Sequence, residues 1–237
     1  MTPCPSDHAE TPFGCGFLDD GAGQALRPGG SQLTARAVFC GAWQPGERVI
    51  DVGCGRGVTL DYLRQCGLHA IGIDTSAQAL RLAKTDELSV IQASGDDLPF
   101  DSDSLDGVLA ECSFSLLPDA AKALAEFHRV LRPGGRLVIT DLYARNPEAL
   151  GQTSVPPCLS GMLEKKKIAR DLENVGFGVD TWEDHSDVLK AFLARFIFEY
   201  GSLDALWGKA AAATTWSDVA RDIRPGYALL VARKVGA

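Results

Sequence analysis

The 237-residue sequence is short of several things, and each shortage narrows its chemistry. Its seven cysteines, at positions 4, 15, 40, 54, 66, 112 and 158, are odd in number and form no CxxC pair, so neither a zinc ribbon nor a disulfide framework is expected. No metal site is expected either. Lys and Arg number 23 against 31 Asp and Glu, a net charge of −8, whereas a surface that holds a phosphate backbone needs clustered basic groups. The one basic run, Lys165 to Lys167, reads as the solvated face of a helix, and no nucleic-acid partner is expected. No apolar run approaches the roughly 20 residues of a membrane span. The opening MTPCPSDHAE has neither the charged nor the apolar part of a signal peptide. These absences lead to the expectation of a cytoplasmic protein, monomer or homodimer, acting on a small molecule away from membranes.

What is present is a large apolar fraction, 46%, and a regular alternation from residue 48 onward. Short β-rich runs at 48–52, 69–74, 88–93, 105–111 and 136–142 are separated by helical patterns at 58–67, 76–85 and 119–131, the arrangement of a parallel sheet covered on both faces. A further helix at 163–177, a sixth strand near 178–186 and a seventh at 226–234 follow. Two segments lie outside this alternation. Residues 1–45 contain a helix introduced by RPGG, and residues 187–224 are long enough for two helices where a short turn would join neighbouring antiparallel strands. Both are candidate lids on one domain spanning 1–237, with its cofactor-binding core at 46–145.

The stretch VIDVGCGRGVTL, residues 49–60, carries the chemistry. A strand that ends in Gly53, Gly55 and Gly57 and turns into a helix is expected to offer unpaired backbone N–H groups and the positive end of the helix dipole. The dinucleotide fingerprint G-x-G-x-x-G would place its third glycine at Val58, which removes the simplest nicotinamide-dependent oxidoreductase reading. Asp74 ends the second strand, 17 residues beyond Gly57, in register to meet a sugar.

The pattern Asp51-x-Gly53-x-Gly55-x-Gly57 resembles the first motif of the class I S-adenosylmethionine-dependent methyltransferases that act on small molecules. Three further stretches match the family in order: QASGDDLPFDSDSLDGVL, AECSFSLLPD and EFHRVLRPGGRLVITD. The resemblance implies a Rossmann-like, doubly wound seven-stranded sheet of order 3-2-1-4-5-7-6 with the last strand antiparallel. It implies S-adenosylmethionine as cofactor, S-adenosylhomocysteine as product, and a site of Asp51, Gly53, Cys54, Gly55, Gly57, Asp74 and Thr75, with Ser94, Gly95 or Asp96 at the adenine edge. Glu111 and Cys112 would lie over the methionine end. Glu111 is a candidate base whose competing role is to bind the cofactor's ammonium group, and Cys112 is a candidate reactive thiol or a pocket wall. Where many relatives have histidine, this chain has Ser115 and Leu116, so no histidine base is carried over. His128 reads as structural.

Arg27 and Thr34 are expected to close over the cofactor's carboxylate. The aromatic residues of 187–224 read mainly as core, with some free to line a pocket for an apolar acceptor. The reaction expected is in-line displacement, in which alignment alone supplies on the order of 7–11 kcal/mol in favourable cases. The alternatives are a nicotinamide-dependent oxidoreductase, a cofactor-binding module without catalysis, and a metalloid or thiol methyltransferase that brings Cys15, Cys112 and Cys158 together.

Overall fold

The computed structural model describes residues 27–85, 88–153, 155, 157–203 and 216–236. The β-rich runs become β1 (Arg48–Val52), β2 (His69–Asp74), β3 (Val90–Gln92), β4 (Leu105–Glu111), β5 (Leu131–Ala144), β6 (Phe177–Asp184) and β7 (Pro225–Lys234). They form a seven-stranded sheet in the order β3-β2-β1-β4-β5-β7-β6. β1 to β5 pair in parallel, and β7 runs antiparallel to β5 and β6. This is the α/β architecture and strand order that the resemblance implies.

Strands buried on both faces read as continuous apolar runs rather than alternating ones. β1 shows this, with Val49 to Val52 all buried. One face is covered by α1 (Gly30–Gly41), α2 (Val58–Gln65), α3 (Ala77–Thr85), the short α5 (Pro157–Ser160), α7 (Ser186–Tyr200) and α8 (Trp216–Asp222), through Leu33, Leu60, Leu80, Leu159, Phe192 and Val219. The other is covered by α4 (Ala120–Val130) and α6 (Lys165–Asn174), through Leu124, Phe127, Ile168 and Leu172. Short polar residues start two helices: the Ser76 hydroxyl accepts the Ala79 N–H at 3.2 Å, and the Asp119 carboxylate accepts the Lys122 N–H at 2.9 Å.

One expectation changes: the fifth strand starts at Leu131, before the expected 136. RPGG at 132–135 is part of β5, not a stop before it: Leu105 pairs with Leu131, and a register shift before Gly107 absorbs the extra residues. In the segment between β6 and β7, Leu189, Phe192 and Phe196 of α7 are buried, in keeping with the reading of its aromatic residues as mainly core, while Phe198 is exposed. Trp207 and the side chains of Tyr200 and Trp216 lie outside what the structure describes, as do residues 1–26 of the N-terminal candidate lid.

Strand order reverses between β1 and β4. In open α/β sheets the crevice beyond the carboxyl ends of the strands at such a point is where ligands bind.

Candidate active site

The glycine loop fills one side of that crevice. Gly57 has φ 86° and forms the N-cap of α2, a left-handed conformation that costs a residue with a Cβ, and a Cβ there would also overlap the Leu88 side chain. Gly53 has φ 78°, and its Cβ would overlap Ser113, whose hydroxyl donates to the Val52 carbonyl at 2.5 Å. Among the described residues nothing stands within 4 Å of a Cβ placed on Gly55, so of the three loop glycines this one leaves its space open. The expectation of unpaired amides is corrected here. The Gly53 and Cys54 N–H groups donate to the Ile73 carbonyl at 2.7 and 3.0 Å, Gly55 donates to the Asp74 carboxylate at 2.8 Å, and Gly57 donates to the Cys54 carbonyl at 2.9 Å. The loop is a steric cradle fastened to β2, and the N–H groups of Gly53, Cys54, Gly55 and Gly57 are spent on holding its shape.

Asp74 accepts from the Gly55 and Ser76 N–H groups, both at 2.8 Å, through different oxygens. Each carboxylate oxygen keeps a second lone pair for another donor. Thr75 is exposed, and its carbonyl accepts from Gln92 at 3.1 Å. The candidate adenine edge is a tight turn in which Ser94 bonds Asp96 and a bridge joins Ser94 to Asp97. Gly95 is buried with no room for a Cβ beside Val52 and Leu117. α4 anchors this turn from below. Glu126 accepts the Leu98 N–H at 2.8 Å, and Arg129 donates to the carbonyls of Phe100 and Leu98 at 2.7 and 3.0 Å. Arg129, paired with Glu126, also holds that carboxylate below its ordinary range. The stretches LPF and EFHR, far apart in sequence, are thus two halves of one clamp. His128 has the structural place expected of it, edge-on to Phe177 with ring centroids 5.3 Å apart.

Opposite the loop, Glu111 ends β4 with 8% of its surface exposed, inside a polar cluster drawn from β4, α2, α1 and the residues before α1. Its carboxylate accepts from Thr59 of α2 at 2.8 Å, lies 3.1 and 3.2 Å from the Thr34 hydroxyl of α1, and pairs with the Arg27 guanidinium at 3.2 Å. Arg27 also donates to Thr34. Arg27 and Thr34 therefore reach the site, but through Glu111. Among the described residues the Nε of Arg27 is buried without a partner, a costly arrangement that an incoming anion would relieve. Asp51, 2% exposed at the end of β1, is pushed up to about 8 by burial first and by the Glu111 charge second, with Arg27 opposing. One guanidinium among buried carboxylates suits a ligand that brings both a carboxylate and positive charge. The residues present fit the amino-acid end of S-adenosylmethionine.

Cys112 follows Glu111 with φ 54°. Burial pushes its thiol up to about 12, with the Asp141 charge adding to the shift, which removes the thiolate that a reactive cysteine needs. Burial likewise raises the Cys54 thiol. Cys15 lies outside the described residues, as does the Cys158 side chain, so the convergence required for a metalloid site is not among the contacts described.

Reading the motifs alone missed two groups. Asp141, fully buried on β5, accepts the Ser115 N–H and the Ser115 hydroxyl, each at 2.8 Å, and the Leu142 N–H at 2.7 Å. The backbone of Gly161 crosses Ser115 so closely that a Cβ would overlap the Ser115 carbonyl. The signal available for Asp141 was an acid at the carboxyl end of a strand. Nothing marked Gly161.

A family model described as a methyltransferase domain matches residues 50–139. A demethylmenaquinone methyltransferase of Clavibacter sepedonicus is 32% identical over 174 residues, covering 67% of this chain and 69% of that one. The O-methyltransferase rstn1 of Aspergillus nomiae is 34% identical over 159 residues, covering 60% of this chain and 69% of that one. Across four such curated relatives the match spans 58–69% of the relative's own length. Among solved structures, the [4+2]-cyclase SpnF is similar with a TM-score of 0.72 and 28% identity, over 86% of this chain and 81% of that one.

Proposed function

The chain belongs to the class I S-adenosylmethionine-dependent methyltransferases, and we propose that it methylates a hydroxyl group on a small, largely apolar molecule. The observation that carries the cofactor half of this reading is the convergence of the glycine cradle, Asp74 and the Arg27–Glu111 cluster at the reversal of strand order. The acceptor half is supported by the 34% identity to an O-methyltransferase and by a neutral wall beyond Cys112, where Leu116 is 39% exposed beside Ser115.

When bound, S-adenosylmethionine supplies an electrophilic methyl group on a positively charged sulfur. The remaining work falls to the chain. The open side of Gly55 admits the nucleoside, and the free lone pairs of Asp74 accept from the ribose hydroxyls. Ser94, Gly95 and Asp96 meet the adenine edge, held level by the Glu126–Arg129 clamp. Glu111 receives the ammonium group and Arg27 the carboxylate. That assignment favours Glu111 as a binding group over Glu111 as a base, since its oxygens are already engaged by Thr59, Thr34 and Arg27. α1, which carries Thr34, covers the amino-acid end, and α7 with α8 forms the second lid.

The test is transfer of tritium from [methyl-³H]S-adenosylmethionine to hydroxyaromatic probes (4-nitrocatechol, 1-naphthol and resorcinol) by the full chain, with calorimetry for S-adenosylhomocysteine and NAD. Labelled methyl ether and binding of the thioether alone are expected. Binding of NAD alone would return the oxidoreductase reading. A second reading is favoured by the 28% identity to a [4+2]-cyclase: the chain binds the cofactor and directs a ring closure without methyl transfer. Thioether binding with no labelled product from any acceptor supports that reading.

A further inference from the structure

The cluster around Glu111 accounts for the cofactor and leaves one buried acid without a task. Asp141 is 0% exposed, yet it lies on β5 one residue past Thr140, the partner of the last residue of β4, with a half-buried hydroxyl between it and solvent. That hydroxyl is Ser115, on the 3-10 turn Phe114–Leu116 that leaves β4. The turn is fixed at both ends of the crevice. Ser113 abuts Gly53 of the glycine loop, and the side chain of Leu117 abuts Gly95. Ser115, midway between them, is pinned by its N–H to one Asp141 oxygen and by its Oγ to the other, both at 2.8 Å, under the backbone of Gly161.

Resting on the hydroxyl-methylation reading, we propose that Ser115 and Asp141 form the proton-accepting pair of the transfer, with Ser115 touching the acceptor hydroxyl and Asp141 storing the proton. As the acceptor oxygen bonds to the methyl carbon and the carbon–sulfur bond breaks, the acceptor proton passes to Ser115 Oγ, and the proton already on Ser115 passes to Asp141 Oδ1. The electron pair of the broken bond stays on sulfur. Charge balances, because the positive sulfur becomes a neutral thioether while a carboxylate becomes a neutral acid.

The groups facing Asp141 are consistent with a proton store. The amides of Ser115, Phe114 and Leu142 and the Ser115 hydroxyl favour its charged form, whereas burial disfavours it and places its titration at about 6. Just past β4 it faces the Cys112 thiol and from β7 the Tyr227 hydroxyl, both raised by burial and by the Asp141 charge and neutral at physiological pH. Asp141 is thus ionised at neutral pH and able to take a proton. It is a positioning residue, since the acceptor touches Ser115 alone.

The experiment follows methyl transfer to 4-nitrocatechol, 1-naphthol and resorcinol by the full chain, across pH 5–9, in wild type, D141N, S115A and S115T. D141N and S115A are expected to lose about 10²- to 10⁴-fold in kcat, the range of a positioned proton acceptor. Wild-type kcat/KM is expected to fall below about pH 6, and D141N to lack that limb. S115T restores most of the rate because it keeps the hydroxyl. Melting temperature and S-adenosylhomocysteine affinity, read in parallel, are expected to stay close to wild type in S115A. An acid that merely caps the turn would lower rates at every pH and leave the limb in place, which overturns the pair. Full activity in S115A overturns it as well. Wild type that binds the thioether but methylates none of the probes removes the hydroxyl reading, and the pair's role with it, in a pattern distinct from active wild type with unaffected variants.

Discussion

The two sides of the crevice are built from different material. On the β1–β2 side the wall is backbone: four consecutive or near-consecutive amides of the glycine loop are tied to Ile73, Asp74 and Cys54, all within 22 residues of sequence. On the β4–β5 side the wall is side chains: Thr34 meets Glu111 across a sequence separation of 77, and Thr59 and Arg27 join them there from other remote parts of the chain. A wall of backbone tolerates changes in chemistry but not in volume, because its shape is set by φ angles and close contacts. A wall of side chains tolerates modest changes in volume, yet it fails when one partner leaves another buried and unpaired.

The hardest blow to the first wall is Gly57→Val. Both the left-handed φ and the overlap with Leu88 oppose the new side chain, at a cost of roughly 2–5 kcal/mol from strain and overpacking combined. For a chain of this size that is about 5–15 °C in melting temperature, with S-adenosylhomocysteine binding lost by more than about a hundredfold because the cradle and the start of α2 move together. Binding within tenfold of wild type would mean that the loop is a turn and not a cradle.

The second wall is expected to fail selectively. Arg27→Ala takes a charge-assisted contact from the carboxylate end of the ligand, worth about 1.5–3 kcal/mol, or roughly ten- to hundredfold in affinity. 5′-Methylthioadenosine lacks that end, so its affinity is expected to change less than about threefold. Calorimetry with both ligands separates the roles, and equal losses for the two would place Arg27 in the folding of α1 and not in the site.

The same contrast explains what could be read in advance. The glycine loop, Asp74 and the strand order were legible because they are local: the spacing of Asp51, Gly53, Gly55 and Gly57 is itself the conformation. The use of the loop amides was misread, since a sequence shows where N–H groups emerge but not that the Ile73 carbonyl and Asp74 lie within reach of them. Arg27 and Thr34 were placed near the site by the RPGG preceding their helix, whereas their actual partner, Glu111, depends on how α1 docks over β4. Asp141 and Gly161 were out of reach altogether. An acid at a strand end and a glycine in a loop are common, and only the crossing of the Met162 segment over Ser115 gives either of them a role.

The smallest expected effect tests whether the two walls meet. Asp51 belongs to the first by position, one residue before the end of β1, and to the second by charge, since Glu111 and Arg27 both act on it. Its carboxyl is pushed up to about 8, well above the ordinary range, so it is protonated in the folded protein and ionised in the unfolded chain between roughly pH 4 and 8. The folded state therefore binds the extra proton, and this group's contribution to stability is fully present below about pH 4 and is lost as pH rises toward 8. Asp51→Asn removes that dependence, so its melting temperature relative to wild type should rise on going from pH 5 to pH 8. A ligand bearing positive charge draws Asp51 toward its ionised form. Binding at pH 7 should then release a proton, visible as a dependence of calorimetric heat on buffer, and affinity for S-adenosylmethionine should climb by up to about tenfold from pH 6 to 8. Asp51→Asn should flatten that rise and spare 5′-methylthioadenosine, which brings no cation. Heats independent of buffer would show that Asp51 does not sense the ligand's charge, and the backbone wall would then do no more than shape the space that the side-chain wall charges.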